Sequence, residues 1–245
     1  MKFKRFIVCA DLHGDMQDKK AVSAFLRFNK TWDAQIRVFG GDLFDFRAIR
    51  KGASKEEQSE SMDRDLDAGE KFLGDFKPTH FLRGNHDERL WDLARDGKGL
   101  FGDHAKAGVR EIEDIVKDLG CKMYPYNKRT GIVRIGHLQI IHGFATGVGA
   151  ARKHAHAFGS CLFGHTHSID EHAAEGIERR VARNIGCLCR LDMDYNRHHI
   201  AALRHAHGWA YGVVNERTGL YHVLQAERVA GKFVLPIITD FVEMK

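Results

Sequence analysis

The chain has 245 residues, of which 43% are hydrophobic, 29% charged and 10% aromatic, a balance that supports a full hydrophobic core and excludes collagen, coiled coil and disordered tail. A formal charge of +5 leans towards an anionic partner but lacks the concentrated basic stripe of a dedicated nucleic-acid binder. The early apolar run Phe6 to Ala10 stops at Asp11, too soon for a signal-peptide core, and no stretch reaches the roughly 20 apolar residues of a membrane helix. A soluble, cytoplasmic protein without a membrane partner is expected, with its five cysteines as free thiols.

No repeat and no Pro-rich linker divides the sequence, so a single domain over 1–245 is expected. Arg5 to Ala10 reads as a buried strand, and Val22, Phe25 and Leu26 place a helix over 21–28. Gln35 to Phe39 is a second apolar run. The stretch 47–65 is polar until Met62, Leu66, Gly69 and Phe72 restore a helical stripe, and Thr79 to Leu82 reads as a third strand. Ile112, Ile115, Val116 and Leu119 fall at i, i+3, i+4 and i+7, predicting a helix with one buried face that stops at Gly120. The first half is therefore βαβαβα. From Arg129 onward strand-like runs dominate, at 132–135, 138–141, 160–163, 180–185, 209–214, 221–225 and 233–238, around one helical run from Val148 to Phe158. They predict a second sheet.

Sixteen histidines, gathered at 137–172 and 198–222, exceed what packing requires and point to metal chemistry. Each of the first three strands ends in a loop of ligand types: Asp11-Leu12-His13, then Gly40-Gly41-Asp42-Leu43-Phe44-Asp45, then Gly84-Asn85-His86-Asp87. Strand ends in an α/β sheet line one crevice, so groups distant in sequence converge there. Two later runs add His142 and Gly164-His165-Thr166-His167. Carboxylate, amide and imidazole together suit Mn²⁺, Fe or Zn²⁺ rather than a structural Cys-rich zinc site. Cys187 and Cys189 alternate along a strand-like segment and read as buried small apolar side chains, with a metal role as the alternative. Seven such ligand groups exceed what one ion holds, whereas two bridged ions about 3.5–4 Å apart would use them all and suit phosphoester hydrolysis.

The ordered set D-x-H, G-G-D-x-x-D, G-N-H-D, an isolated His and G-H-T-H runs from Asp11 to His167 and resembles the calcineurin-like metallophosphoesterase superfamily. The resemblance implies an α/β fold, a four-layer αββα sandwich of two mixed β-sheets flanked by helices, with a dinuclear metal site at strand ends. It implies that Asp11, His13 and His167 hold one ion, that Asn85, His142 and His165 hold the other, and that Asp42 bridges them. Two divalent ions are expected, Mn²⁺ first, with Fe, Zn²⁺, Ni²⁺ or Co²⁺ as alternatives. A metal-bound hydroxide is expected to attack phosphorus, with His86 as proton donor or transition-state contact and Asp45 orienting it.

Ser/Thr protein phosphatases continue the second block with an Arg that grips phosphate, where this chain has Phe46, and end the third in Glu, where it has Asp87. The blocks look more like the phosphodiesterase, nuclease and lipid-precursor hydrolase branches. Asn184 to Cys189 with Asp192, Tyr195 and Gly208-Trp209-Ala210 resembles stand-alone phosphoesterases carried by bacteriophages and their hosts. Two regions, 46–61 and 187–208, are candidates for substrate-facing loops. The first carries Arg47, Arg50 and Lys51; the second packs Arg197, His198, His199, Arg204, His205 and His207 between Tyr195 and Trp209. Arg47, Arg50, Arg204 and Trp209 are the candidate substrate contacts, with a solvated surface as the alternative. A phosphodiesterase acting on nucleic acid or nucleotide is favoured. The competing readings are a phosphomonoesterase or lipid-precursor pyrophosphate hydrolase, and a non-catalytic binding module.

Overall fold

Strand β1 (Phe3–Cys9) is buried on both faces in its second half: Phe6, Val8 and the following Ala10 point to one side, Ile7 and Cys9 to the other, all at 0% exposure. A strand of this kind needs a core on each side. In the computed structural model, which describes residues 3–192 and 203–235, those two cores build the molecule.

After β1 the chain forms α1 (Lys19–Trp32), whose N-terminus is capped by the Asp18 carboxylate accepting from the amides of Lys20 and Ala21. There follow β2 (Ile36–Phe39), a single 3₁₀ turn at Arg47–Ile49, the short α2 (Lys55–Gln58), α3 (Met62–Phe76), β3 (His80–Leu82), α4 (Glu88–Asp96), α5 (Gly99–Asp118) and β4 (Lys122–Tyr124). The second half contributes β5 (Val133–Ile135), β6 (Leu138–Ile140), α6 (Ala150–Phe158), β7 (Cys161–Phe163), β8 (Ile169–Ala174), β9 (Arg180–Ile185), β10 (Gly208–Asn215), β11 (Tyr221–Val229) and β12 (Lys232–Val234). Gly120 sits at φ +64, in the left-handed region that ends the α5 segment.

Two mixed sheets result, one ordered β12-β11-β10-β1-β2-β3-β4 and the other β5-β6-β7-β9-β8. In the first, β1 to β4 are parallel and β10 to β12 antiparallel; in the second, β5 and β8 are the antiparallel edges. Helices α1, α3 and α5 cover the outer face of the first sheet through Phe25, Phe72, Phe76 and Ile112, packed with Ile7, Phe39, Trp209 and Tyr211. Phe6, Val8, Val38 and Leu82 meet Leu138, Ile140, Leu162 and Ile185 between the sheets. Beneath α6, Ala151 and Ala155 pack on Ile141, Cys161 and Phe163. The layers are therefore αββα, as expected. All five cysteines are free and buried, and no helix among the described residues is long and apolar enough to cross a membrane.

The sheet assignment of the last strands is corrected. The runs at 209–214, 221–225 and 233–235 do not join the second sheet but extend the first, because β10 pairs antiparallel with β1 from Phe3↔Asn215 to Val8↔Ala210; residues 236–238 lie outside the described residues. Four elements were not expected, the short capped α2 within the polar stretch 47–65 among them. β8 reads Ile-Asp-Glu-His-Ala-Ala, an edge strand with too little apolar patterning to stand out; β4 has three residues, and α4 follows directly on the third ligand block.

Two buried carboxylates fix the loops that carry the ligands. Asp65, on the buried stripe of α3, accepts from the amides of Asp45 at 3.0 Å and Phe46 at 2.6 Å. Asp87 accepts from Phe44 at 2.9 Å and Gly84 at 2.8 Å, tying the second ligand loop to the third. Burial pushes the Asp65 carboxyl up to about 6 against these donors, and burial followed by the Asp42 charge pushes Asp87 up to about 7. Asp65→Ala leaves two buried amides without acceptors, each worth about 1–3 kcal/mol. Urea unfolding of the metal-free protein is expected to lose about 2–4 kcal/mol in this variant, and clearly less in Asp65→Asn, which keeps an acceptor oxygen.

Candidate metal centre

Every ligand block leaves a strand at the same end of its sheet: Asp11 and His13 after β1, Asp42 and Asp45 after β2, Asn85 and His86 after β3, His142 after β6, His165 and His167 after β7. The backbone turns unusually to bring these side chains inward. Asp11, His13 and Asp42 have φ of 55°, His165 of 70° and His167 of 53°, a left-handed conformation disfavoured by about 1–2 kcal/mol for L residues and concentrated at functional sites. Close approach adds a second demand. A Cβ on Gly84 would overlap the carboxylate and amide of Asp42, and one on Gly164 would overlap the Asp11 carboxylate.

The side chains form two facing sets. His13 Nε2 lies 3.0 Å from His167 Nε2, and His167 Nε2 lies 3.5 Å from Asp11 Oδ1. On the other side, His142 Nε2 lies 3.1 Å from Asn85 Oδ1, and ligand atoms of Asp42, His142 and His165 fall within 4.8 Å of one another. One oxygen of Asp42 spans the sets, 3.3 Å from His142 Nε2 and 3.8 Å from His13 Nε2. Atoms bound to one ion at about 2.0–2.2 Å lie roughly 3 Å apart, so these separations fit shared coordination.

The outer nitrogens support that fit. His13 Nδ1 is 2.8 Å from Asp45 Oδ1 and His142 Nδ1 is 2.9 Å from the carbonyl of Gly40, so each ring donates outward and turns the Nε2 lone pair inward. Lone pairs turned into a buried crevice are satisfied by a cation placed between them. Asp11, His13, Asp42, Asn85, His142, His165 and His167 could thus hold divalent metal, with Asp42 standing between the two sets.

Electrostatics point the same way. Burial opposes ionisation of Asp42, but the imidazoles of His142, His86 and His13 outweigh it and hold the carboxyl well below its usual range. Asp11 is likewise lowered, burial being overcome chiefly by His167. Burial lowers His142, yet the Asp42 charge reverses this and raises it to about 9, so that without a cation Asp42 draws a proton onto the ring, which a metal ion would have to displace. His165, with burial and His142 both against its charge, falls to about 4, which favours the neutral form a ligand needs.

Asp45 serves two histidines at once. Its Oδ1 is 2.8 Å from both His13 Nδ1 and His86 Nδ1, and these hydrogen bonds hold its carboxyl far below the ordinary range despite burial. The His13–Asp45–His86 cluster therefore joins outer nitrogens to one acceptor, which makes it an orienting network rather than a third ion site. Arg89 fixes the same residue by donating to the Asp45 carbonyl at 2.7 Å. His86 stands at the rim, 15% exposed, with Nε2 3.9 Å from Asp42 Oδ2. Cys189 is buried with Sγ 3.7 Å from His167 Nδ1; it meets the outer side of a ring whose other nitrogen faces His13, and Cys187 packs beside it with Met16 and Leu191.

The expected substrate contacts fare differently. Arg47 is bound by both oxygens of Asp15, at 2.7 and 2.8 Å, and by Glu60. Arg50 pairs with Glu57 at 2.6 Å and Arg204 with Asp170 at 3.1 Å. Trp209 is corrected: it is fully buried among Phe25, Phe28 and Phe233 in the outer core, because β10 is an interior strand, and it offers no face to a substrate at the centre. Tyr195, Asn196, Arg197, His198 and His199 lie outside the described residues. Sequence reasoning missed Asp65, whose signal was a carboxylate on an apolar helical stripe, and the clamp role of Asp87 within the third block. His205, named only within a candidate substrate-facing loop, has its ring 5.0 Å from that of His167 and tilted by 59°.

Residues 4–168 match the family model for calcineurin-like phosphoesterases. A search of the curated proteins finds no match. Among solved structures, the chain is similar to vacuolar protein sorting 29 from Cryptosporidium parvum, with a TM-score of 0.51 and 14% identity over 95% of each chain. It is also similar to a predicted phosphoesterase from Streptococcus pneumoniae, with a TM-score of 0.38 and 14% identity over 92% of this chain and 99% of that one. A third is YfcE, a phosphoesterase from E. coli, with a TM-score of 0.34 and 14% identity over 86% and 88%. The first likeness is one of fold, while the family match spans the ligand blocks from Asp11 to His167; the chain belongs to the calcineurin-like phosphoesterase family.

Proposed function

We propose that the protein is a two-metal phosphodiesterase acting on a nucleic acid or nucleotide, with Mn²⁺ as the preferred ion and His86 as proton donor. The observation that carries the choice of a diester is the state of Arg47. The cation that follows the second ligand block in sequence is neutralised by Asp15 and Glu60, and Phe46 before it is fully buried. A monoester dianion calls for a free guanidinium to offset its second charge, whereas a diester carries one charge only.

When bound, two divalent ions would supply the positive charge that activates water and neutralises the phosphoryl oxygens. The chain supplies the proton and the geometry. Asp45 holds Nδ1 of His86, which leaves Nε2 directed to the open side, where it can deliver a proton to the departing oxygen. Through its second hydrogen bond Asp45 also fixes the rotation of His13, so proton donor and metal ligand share one anchor. The basic character of the chain, +5 overall, suits a polyanionic substrate.

The deciding assay compares a bis-ester and a mono-ester of the same chromogenic phenol on Mn²⁺-loaded protein: faster bis-ester turnover is expected, and faster mono-ester turnover overturns the reading. Chelation is expected to abolish activity and Mn²⁺, Ni²⁺ or Co²⁺ to restore it, with two ions per chain by elemental analysis; undiminished turnover in metal-free protein refutes the metal dependence. His86→Ala should keep both ions and lose about 10²- to 10⁴-fold in turnover on an unactivated ester. Asp45→Asn should differ in kind, losing about 10- to 100-fold in metal affinity as well as turnover. Isothermal titration with Mn²⁺ separates the two variants.

A further inference from the structure

We propose that the groove between α1 and the β11–β12 hairpin, on the outer face of the first sheet, binds a segment of single-stranded polynucleotide. The proposal rests on the nucleic-acid reading above and extends it to a surface separate from the metal centre.

Helix α1 is two-sided. Ala21, Val22 and Phe25 are buried in the outer core, while Lys20, Ala24, Arg27, Phe28, Thr31 and Trp32, at i, i+4, i+7, i+8, i+11 and i+12, line a cavity of about 880 Å³. The facing wall is Arg228, Lys232, Phe233 and Leu235, with Arg5 at the far end and Trp209 in the floor. From Lys20 to Trp32 the helix runs about 18 Å.

The lining chemistry selects the occupant. Five cations and no carboxylate line the groove. Arg5 is engaged by Asp33 at 3.0 Å and Arg228 faces Asp18 at 3.7 Å, but Lys20, Arg27 and Lys232 have no ion pair among the described residues. Between these cations Phe28 and Trp32 are half-buried with rings stacked at 6.0 Å and 11°. Trp32 also carries Arg5 5.8 Å over its face. Flat aromatic surface flanked by lysine and arginine is the pattern that receives bases and phosphates of an unpaired strand without reading sequence.

The groove also has a physical link to the metal centre. Arg228 is 3.2 Å from His207 Nδ1, His207 Nε2 donates to the Cys189 carbonyl at 2.9 Å, and Cys189 contacts His167. The end of the groove bearing Lys20 and Arg228 is thus the end joined by side-chain contacts to His167.

The test uses the full chain in chelator, so that no cleavage occurs, and reads the anisotropy of a fluorescein-labelled oligothymidylate across a salt series. Binding is expected, with a log–log salt slope of about −2, since three unpaired cations each contribute about −0.7 on a single strand. Arg27→Glu combined with Lys232→Glu is expected to weaken binding at least tenfold. Lys117→Glu with Arg134→Glu, equal in charge but on other exposed surfaces, should leave both binding and bis-ester turnover within about twofold, and thermal unfolding verifies that both double variants fold. Absent binding, salt-independent binding, or equal weakening by the two pairs overturns the groove assignment. Loss of the phosphodiesterase reading would appear separately, as absent bis-ester turnover by the wild-type chain.

Discussion

Three carboxylates and four imidazoles are brought to one buried crevice, and most of the architecture serves to hold them there. Asp11, Asp42 and Asp45 are at most 1% exposed, in surroundings where burial alone would force each to take up a proton. They remain ionised because imidazoles face them, and the imidazoles in turn present lone pairs to one another. Such an arrangement has little to recommend it in terms of stability. It persists because left-handed turns, missing glycine side chains and the amide clamps of Asp65 and Asp87 leave the side chains no other place to go. Cations bound there would convert a mutually repulsive set into a compensated one.

The shared acceptor at Asp45 gives this centre its coupling. A histidine meant to move a proton and a histidine meant to hold an ion usually answer to different neighbours, so each can drift independently. Here both depend on one oxygen, whose loop is held by the backbone amides of Asp45 and Phe46 donating to the Asp65 carboxylate of α3. A displacement of the second ligand loop therefore alters coordination and proton delivery together. The helix layer thus reaches the ligand loop through Asp65.

The sequence revealed the centre more fully than it revealed the sheet that carries it. Ligand blocks are local: a strand, a turn and two or three ligand types within a few residues, readable without knowing the fold. The layers were also legible, because β1 is apolar on both faces and the helices on one. Sheet membership was not, since nothing within 208–215 says that its partner is 3–8; pairing at that separation is decided by the whole core. Trp209 looked like a substrate-stacking aromatic for the same reason, until the pairing of β10 made it interior. Asp65 was hidden because a carboxylate on a helix is ordinarily solvated, and Asp45 showed only half its role because His13 lies on another loop.

The pairing of β10 with β1 also sets the order in which the molecule can be completed. Strand β1 meets β2 after some thirty residues of chain, as in Phe6↔Ile36, but gains its other neighbour only through pairs such as Phe3↔Asn215. On a ribosome releasing roughly 5–20 residues per second, a strand destined for burial on both faces waits many seconds with one edge uncovered. Closing so distant a pairing is slow by its topology. During that interval all the ligand blocks from Asp11 to His167 have already emerged, so early ion capture would lend order to the nascent chain before its central sheet can close.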